Sequence, residues 1–201
     1  MPLVVGLTRG GVAVGSELAR ILHAPFDICI VRKLTSLRDP ASWFGALAEG
    51  GATFVDMPHA KRLGLGPIEI TTAVEHARRE VERLQGLFRD RPAINARGFD
   101  AILVDDGLVG VEQIRAAVLA LRSRGVHAIE LAIPVASTAA IDAIQGELDH
   151  VTCLETDPYL TAVGARYQEF RQVSDAEVMD ALAAAHVHIP FAPVATSRVH
   201  T

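Results

Sequence analysis

Residues 101–111 read AILVDDGLVGV: a short apolar run, two adjacent carboxylates and a loop with two glycines. The apolar run is typical of a buried β-strand, and the residues from Gln113 onward have the apolar spacing of an amphipathic helix. In open α/β sheets ligands bind at the carboxyl ends of the strands, and a glycine loop that leads into a helix can bind a phosphate group. The stretch therefore predicts a sugar-phosphate site.

Strand-like and helix-like segments alternate along most of the chain. Apolar runs predict further strands at residues 3–7, 26–31, 127–135 and 151–156. Helical apolar spacing predicts helices at residues 13–22, 70–88, 138–146 and 174–185. This alternation is typical of βαβ units, so we expect a mostly parallel sheet.

The alternation breaks after the second predicted strand. Residues 32–43, RKLTSLRDPASW, have no sustained periodicity and contain a proline, which predicts a long loop that acts as a lid. Residues 44–55, FGALAEGGATFV, predict a β-hairpin with its turn at Gly50 and Gly51. We expect one domain over residues 1–185 and a flexible C-terminal tail over residues 186–201, which have no period.

The composition limits the class of protein. The 201 residues are 50% hydrophobic and 21% charged, which is enough to bury one sizeable core. The net charge of -5 and the absence of a run of Lys or Arg argue against a nucleic-acid partner. No window approaches the roughly eighteen apolar residues of a membrane span, and the start does not resemble a signal peptide. We expect no membrane partner and a cytoplasmic protein.

Two groups of residues after the apolar run at 101–104 could carry chemistry. Asp105 and Asp106 could bind the vicinal hydroxyls of a ribose or hold a hydrated Mg²⁺. The alternative is a helix-capping aspartate with a solvated neighbour. Gly107 and Gly110 could turn backbone amides inward to bind a phosphate, or could simply form an ordinary turn.

Basic residues follow the first two predicted strands. Residues 6–15, GLTRGGVAVG, predict a second glycine loop, in which Arg9 could bind a phosphate with two hydrogen bonds. The alternative is an ordinary tight turn with an arginine at the surface. The glycines do not fit GxGxxG, which disfavours a dinucleotide site. Arg32 and Lys33 end the second predicted strand. Three strand ends thus bring cationic and acidic groups to one edge of the sheet, as a phosphorylated ribose donor would require.

Several of these stretches together resemble the type I phosphoribosyltransferase family, and specifically one bacterial branch of it. They are VVGLTRGGVAVGSELA, the RKL after the second strand, FGALAEGG, ILVDDGLVGVEQIRAAVLALRSRG and YLTAVGARYQEFRQVSDAEV. The resemblance implies a Rossmann-like open five-stranded sheet flanked by helices, with a small hood. It implies transfer of a 5-phosphoribosyl group from 5-phosphoribosyl 1-pyrophosphate to a nitrogenous acceptor, with Mg²⁺ as cofactor and release of pyrophosphate. The acceptor is left open, and a homodimer is one arrangement to expect.

The resemblance also assigns roles. Asp105 and Asp106 would contact the ribose hydroxyls and the metal, the backbone of residues 107–113 would hold the 5-phosphate, and the loop at residues 8–11 would bind the pyrophosphate. The expected catalytic residues are Asp105, Asp106, Arg9 and Lys33. The expected substrate-binding residues are Thr8, Gly10, Gly11, Arg32, Gly107, Leu108, Val109, Gly110, Val111, Glu112 and Gln113.

The chain departs from the family pattern at the 5-phosphate loop. Members read DDG, two residues, then Thr-Gly-X-Thr, whereas residues 110–113 here are GVEQ. Both hydroxyls are absent, and Glu112 either faces the phosphate or points outward. At about 5 Å, two like charges repel by roughly 1 kcal/mol in water and about 3 kcal/mol at an effective dielectric of 20. We therefore expect weakened donor binding.

That departure keeps other functions open. One is a catalytically weak module of the same fold that binds a nucleotide or sugar phosphate for regulation. A weaker one is a receiver-like domain that uses the acid pair for Mg²⁺ and a phosphoaspartate. Members also carry a helix before the first strand, whereas this chain begins almost inside it, so a truncated or misassigned start is a further expectation.

Overall fold

The structure is a computed structural model that describes residues 1–36, 38–90 and 92–186. The strands are β1 (Leu3–Leu7), β2 (Phe26–Cys29), β3 (Val31–Thr35), β4 (Trp43–Ala48), β5 (Thr53–Val55), β6 (Asp100–Val104), β7 (Ala128–Ser137) and β8 (His150–Asp157). The helices are α1 (Gly10–Leu22), α2 (Met57–Arg62), α3 (Pro67–Phe88), α4 (Glu112–Ser123), α5 (Thr138–Ile144) and α6 (Asp175–His186). Nowhere in these ranges is a helix both long and apolar enough to cross a membrane.

The main sheet has five strands in the order β2-β1-β6-β7-β8, and every neighbouring pair is parallel. This confirms the predicted five-stranded parallel sheet. The strand order reverses between β1 and β6, because β2 lies on one side of β1 and the later strands lie on the other. In doubly wound folds the crevice at such a reversal binds the ligand.

Helices cover both faces of the main sheet. Successive side chains of a strand point to opposite faces, so β1 sends Leu3, Val5 and Leu7 to one core and Val4 to the other. The first core is completed by α4 and α5, and the second by α1, α3 and α6. β1 is buried along its whole length, as its uninterrupted apolar sequence predicts.

A second, antiparallel sheet, β3-β4-β5, forms the small hood. The hairpin of β4 and β5 turns at residues 49–51 and confirms the prediction for residues 44–55. The loop predicted from residue 32 is wrong over β3, since Val31–Thr35 is a strand. β2 and β3 are separated only by Ile30, which is buried, so the apolar run shows no sign that the chain changes sheets there.

The ends of the predicted segments differ from the structure in smaller ways. α1 begins at Gly10, three residues before the predicted helix at residues 13–22, and the short helix α2 has no counterpart in the prediction. The predicted lid includes Leu37, which lies outside the described residues, and the lid stays a prediction. Of the predicted tail, His186 is the last residue of α6, and residues 187–201 lie outside the described part of the chain.

Candidate active site

A cavity of about 340 Å³ lies where the strand order reverses. The loops after β1 and β6 form two of its walls, and the hood and the segment after β8 contribute the others. The described residues that line it are Thr8, Arg9, Gly10, Lys33, Trp43, Asp105, Asp106, Gly107, Leu108, Val109, Gly110, Gln113, Ile114, Thr161, Ala162, Val163 and Phe170. Most of the residues predicted from the sequence therefore meet in one cavity.

The two carboxylates follow directly after β6, at its carboxyl end. The backbone N–H of Asp106 donates to Asp105 Oδ1 over 3.0 Å, which holds the Asp105 carboxylate beside the backbone of Asp106. Burial, followed by the charge of Asp106, raises the pKa of Asp105. Burial likewise raises the pKa of Asp106. Two carboxylates that share so little water favour a cation or hydrogen-bond donors between them.

The loop after β1 packs tightly against this acid pair. A Cβ on Gly10 would stand 1.9 Å from Asp106 Oδ2, and a Cβ on Gly11 would stand 2.2 Å from the carbonyl oxygen of Val104. Only glycine allows so close an approach at either position. The peptide bond between Thr8 and Arg9 is cis. The acidic and glycine-rich strand ends are thus neighbours, as the sequence predicts.

Arg9 lines the cavity, but its guanidinium is paired with a group that does not. Arg9 Nη2 lies 2.6 Å from Oδ1 of Asp175, the first residue of α6. Asp175 is not among the residues that line the cavity. No feature of the sequence identified this partner, because the two residues lie near opposite ends of the chain.

Residues 107–113 form the loop that leads into α4. A Cβ on Gly107 would stand 2.6 Å from a methyl group of Val163, and a Cβ on Gly110 would stand 2.7 Å from Glu112 Oε2. The carboxylate of Glu112 therefore folds back over Gly110 rather than pointing away from the loop. Gln113 lines the cavity, whereas Val111 belongs to the hydrophobic core.

Lys33 and Arg32 lie within β3, and only Lys33 lines the cavity. Their expected position at the end of the second strand is wrong, and alternation along β3 sends the two side chains to opposite faces. The Lys33 ammonium lies 3.8 Å from the centre of the Trp43 ring. Partial burial lowers the pKa of Lys33, and the charges of Glu112 and Asp105 oppose this shift. Burial and the charge of Arg9 lower the pKa of Arg32.

The aromatic residues around the cavity had no individual role in the sequence-based prediction. The hydroxyl of Tyr167 donates to the carbonyl oxygen of Asp106 over 2.6 Å, and the rings of Tyr167 and Phe170 are 5.4 Å apart. Phe170 and Trp43 line the cavity. One feature of the sequence could have indicated them. These aromatic residues occur in stretches without periodicity, so their positions do not follow from packing on a regular helix or strand.

The carboxylates of the cavity fit Mg²⁺, which needs few protein ligands, better than they fit a metal that is bound by protein side chains alone. Within the described ranges there is no cluster of three or more His, Cys, Asp or Glu side chains that could hold a metal. Mg²⁺ is often bound by only one or two carboxylates together with substrate phosphates and water. Asp105 and Asp106 match that requirement, and their raised pKa values reflect a buried setting in which a cation would stabilise the charged forms.

Comparison with known proteins gives two kinds of relative, although no protein-family model matches the chain. Two Mycobacterium tuberculosis proteins, from strains CDC 1551 and H37Rv, are each named a "putative phosphoribosyl transferase". Each is 35% identical over 189 residues, which is 92% of this chain and 42% of the relative. The chain thus spans less than half the length of these relatives. The crystal structure of TT1426 from Thermus thermophilus is 32% identical, covers 91% of this chain and 87% of its own, and superposes with a TM-score of 0.72.

Proposed function

Because this chain belongs to the phosphoribosyltransferase family, we propose that it transfers a 5-phosphoribosyl group from 5-phosphoribosyl 1-pyrophosphate to a nitrogenous acceptor and releases pyrophosphate. The observation that carries the proposal is the meeting of three wall segments in one cavity. These are the loop after β1, the acid pair and the loop that leads into α4. Each suits a different part of the donor: pyrophosphate, ribose hydroxyls and 5-phosphate.

The acid pair is the proposed ribose site. Carboxylate oxygens accept hydrogen bonds from two neighbouring hydroxyls, and the 3.0 Å hydrogen bond from the Asp106 N–H fixes the orientation of the Asp105 carboxylate. The same two residues would hold Mg²⁺, which would supply positive charge to the phosphates of the donor. Tyr167 supports this pair through its hydrogen bond to the Asp106 carbonyl.

The proposed 5-phosphate site is the backbone of residues 107–113 at the start of α4. Backbone N–H groups at a helix amino terminus favour an anion, and Gln113 can donate from its side-chain amide. Glu112 opposes this binding, because its carboxylate lies over Gly110. Lys33 lines the same cavity and offsets part of that negative charge.

The proposed acceptor side is formed by Phe170 and residues 161–163, which face the cavity from the segment after β8. Phe170 is 50% exposed, so a planar base could stack on it. In the reaction, the bond from C1 of the ribose to pyrophosphate breaks, a bond from C1 to the acceptor nitrogen forms, and the proton of that nitrogen passes to water or to the departing pyrophosphate. The protein would act mainly by positioning and by electrostatic stabilisation of the departing pyrophosphate.

A second candidate is a catalytically weak module that binds a nucleotide or sugar phosphate for regulation. The observation that favours it is the position of Glu112, which places a carboxylate where the family has a hydroxyl-rich loop. Binding without turnover distinguishes this candidate from an active transferase.

The experiment is a calorimetric titration with 5-phosphoribosyl 1-pyrophosphate and MgCl₂, followed by a pyrophosphate-release assay with a panel of nitrogenous bases. We expect saturable binding that the double change Asp105→Asn with Asp106→Asn abolishes. Asp142→Asn is the matched control, because Asp142 is exposed on α5 and does not line the cavity. Binding that survives the double change would show that the ribose site is wrongly assigned, and binding without release would favour the regulatory module.

A further inference from the structure

Asp175 and Arg9 form an ion pair that joins the first turn of α6 to the loop after β1. Arg9 Nη2 and Asp175 Oδ1 are 2.6 Å apart, and the two side chains are 29% and 37% exposed. Arg9 lines the cavity, whereas Asp175 does not. The guanidinium that the sequence suggests for an anionic ligand is therefore already paired with a carboxylate of the protein.

The surroundings of Asp175 are rich in arginine. Its negative charge acts on Arg32 and Arg83 as well as on its partner Arg9. Arg83 has its own partner in Glu80, at 2.8 Å, and Glu80 also lies near Arg32. Among the described residues, the buried Nε atoms of Arg9 and Arg32 have no hydrogen-bond partner, and neither has Asp175 Oδ1, although it lies 2.6 Å from Arg9 Nη2. Guanidinium donors and a carboxylate oxygen are thus both left without a hydrogen bond at this point, and the contact between Arg9 and Asp175 is an ion pair only.

We propose that Asp175 is the resident counter-ion of Arg9, and that an anionic group of the ligand must replace its carboxylate before the Arg9 side chain can bind that group. The proposal rests on the proposed function, because the anion concerned is the pyrophosphate group of the donor. A guanidinium binds carboxylate and phosphate oxygens through the same paired N–H donors, so the two compete for one site. Asp175 then lowers the affinity of the site and makes binding sensitive to α6.

The first turn of α6 is capped without the side chain of Asp175. The Ser174 backbone N–H donates to Glu177 Oε2 over 2.9 Å, and the Glu177 N–H donates to Ser174 Oγ over 3.3 Å. These two bonds cap the helix reciprocally. Asp175→Asn keeps the shape of the side chain and should leave the helix folded, which far-UV circular dichroism and the melting temperature would verify.

The test is a titration of the full chain with inorganic pyrophosphate, and separately with 5-phosphoribosyl 1-pyrophosphate, both in MgCl₂. Since a partly exposed ion pair contributes up to about 1 kcal/mol, Asp175→Asn should tighten pyrophosphate binding by about fivefold. Arg9→Gln should weaken binding, and adding Asp175→Asn to it should change nothing further. Asp180→Asn, an exposed carboxylate on the same helix, is the control and should leave the affinity unchanged.

The outcomes separate this proposal from the proposed function. If the unaltered chain binds the donor and Asp175→Asn leaves pyrophosphate affinity equal or weaker, the counter-ion proposal alone is overturned. If the unaltered chain does not bind the donor but Asp175→Asn binds pyrophosphate, the counter-ion proposal holds and the proposed transferase fails. If no variant binds either compound, both are overturned. An equal gain in the Arg9→Gln background would also overturn the proposal, because the effect would not pass through Arg9.

Discussion

The Asp106 carboxylate lies directly against the backbone of Gly10, so that a Cβ on Gly10 would stand 1.9 Å from Asp106 Oδ2. The neighbouring glycine faces a different obstacle, because a Cβ on Gly11 would stand 2.2 Å from the backbone oxygen of Val104. A side chain can rotate away, whereas the backbone of a central strand cannot. Of these two adjacent residues of α1, Gly10 is therefore required by the site and Gly11 by the fold.

Gly10→Ala should spare the fold and damage the site. The obstacle at Gly10 is the end of a side chain, so the stability should hold, while the displaced Asp106 carboxylate should no longer bind the ligand. Gly11→Ala should instead cost roughly 1–3 kcal/mol, because extra atoms in a packed core force the backbone to shift. Urea unfolding measures stability, and titration with the donor and MgCl₂ measures binding. Equal losses of stability in both variants would contradict this distinction.

Asp27 is the buried centre of a charge network that joins β2 to the segment before β6. It is 2% exposed and pairs with Arg89 and Arg124, and its Oδ2 accepts from the Ile94 N–H over 2.9 Å. Removing Asp27 would leave the two guanidinium groups with Glu49 as their one remaining carboxylate in this network, so one buried charge would be uncompensated. Asp27→Ala should therefore lower the free energy of unfolding by about 3–5 kcal/mol, as measured by urea denaturation.

The matched control for Asp27 is Asp142→Ala, because Asp142 is an exposed residue of α5. Surface substitutions of this kind usually change stability by less than about 0.5 kcal/mol. A loss at Asp27 no larger than that of the control would mean that the network does not stabilise the fold.

The parallel sheet was predictable because each of its strands and helices has an apolar pattern typical of one kind of secondary structure. β1 is apolar throughout, and α3 spaces its buried residues, such as Ala77, Val81 and Leu84, at helical intervals. The signals are local, so tertiary context did not override them. The predicted strand at residues 3–7 matches β1 at both ends.

The hood and the rim of the site were harder to predict, because their signals are not local. β3 was missed since only Val31 and Leu34 of its residues are fully buried, too few to establish an alternating period. Asp175 and Tyr167 reach the site from segments far along the chain, and no spacing rule relates them to Arg9 or Asp106. The acid pair, in contrast, was found because strand, carboxylates and helix are consecutive.

The two free cysteines should differ in reactivity. Cys29 is fully buried and burial raises the pKa of its thiol far above the usual range, whereas Cys153 is partly exposed with a smaller rise. A thiol reagent at pH 8 should therefore modify Cys153 alone in the native protein and both thiols after denaturation. Cys153→Ser should leave no reactive thiol until the protein unfolds. Rapid modification of Cys29 in the native state would contradict its burial.

The same burial makes stability depend on pH. Because the folded pKa of Cys29 lies above its unfolded value of about 8.5, only the unfolded state loses this proton at moderately alkaline pH. Its contribution to stability is intact below about pH 8.5 and falls by up to about 1.4 kcal/mol per pH unit above it. Urea unfolding from pH 7 to 10 should show this slope, and Cys29→Ala should reduce it. If Cys29→Ala has the same slope of stability against pH as the unaltered chain, the slope arises from other titrating groups.

Glu112 offers the sharpest test of the altered 5-phosphate loop. Its carboxylate lies over Gly110, so Glu112→Ala should remove repulsion, and adding Gln113→Thr should supply a hydroxyl at the second residue of α4. The repulsion removed and the hydrogen bond gained together amount to about 1–2 kcal/mol. We therefore expect the double variant to bind the donor about tenfold more tightly than the unaltered chain does. Calorimetric titration with 5-phosphoribosyl 1-pyrophosphate and MgCl₂ measures this gain. Glu82→Ala, which removes an exposed carboxylate of α3 outside the cavity lining, corrects for the change in net charge. If the double variant binds no better than this control, Glu112 does not weaken donor binding, and the regulatory alternative loses the observation that favours it.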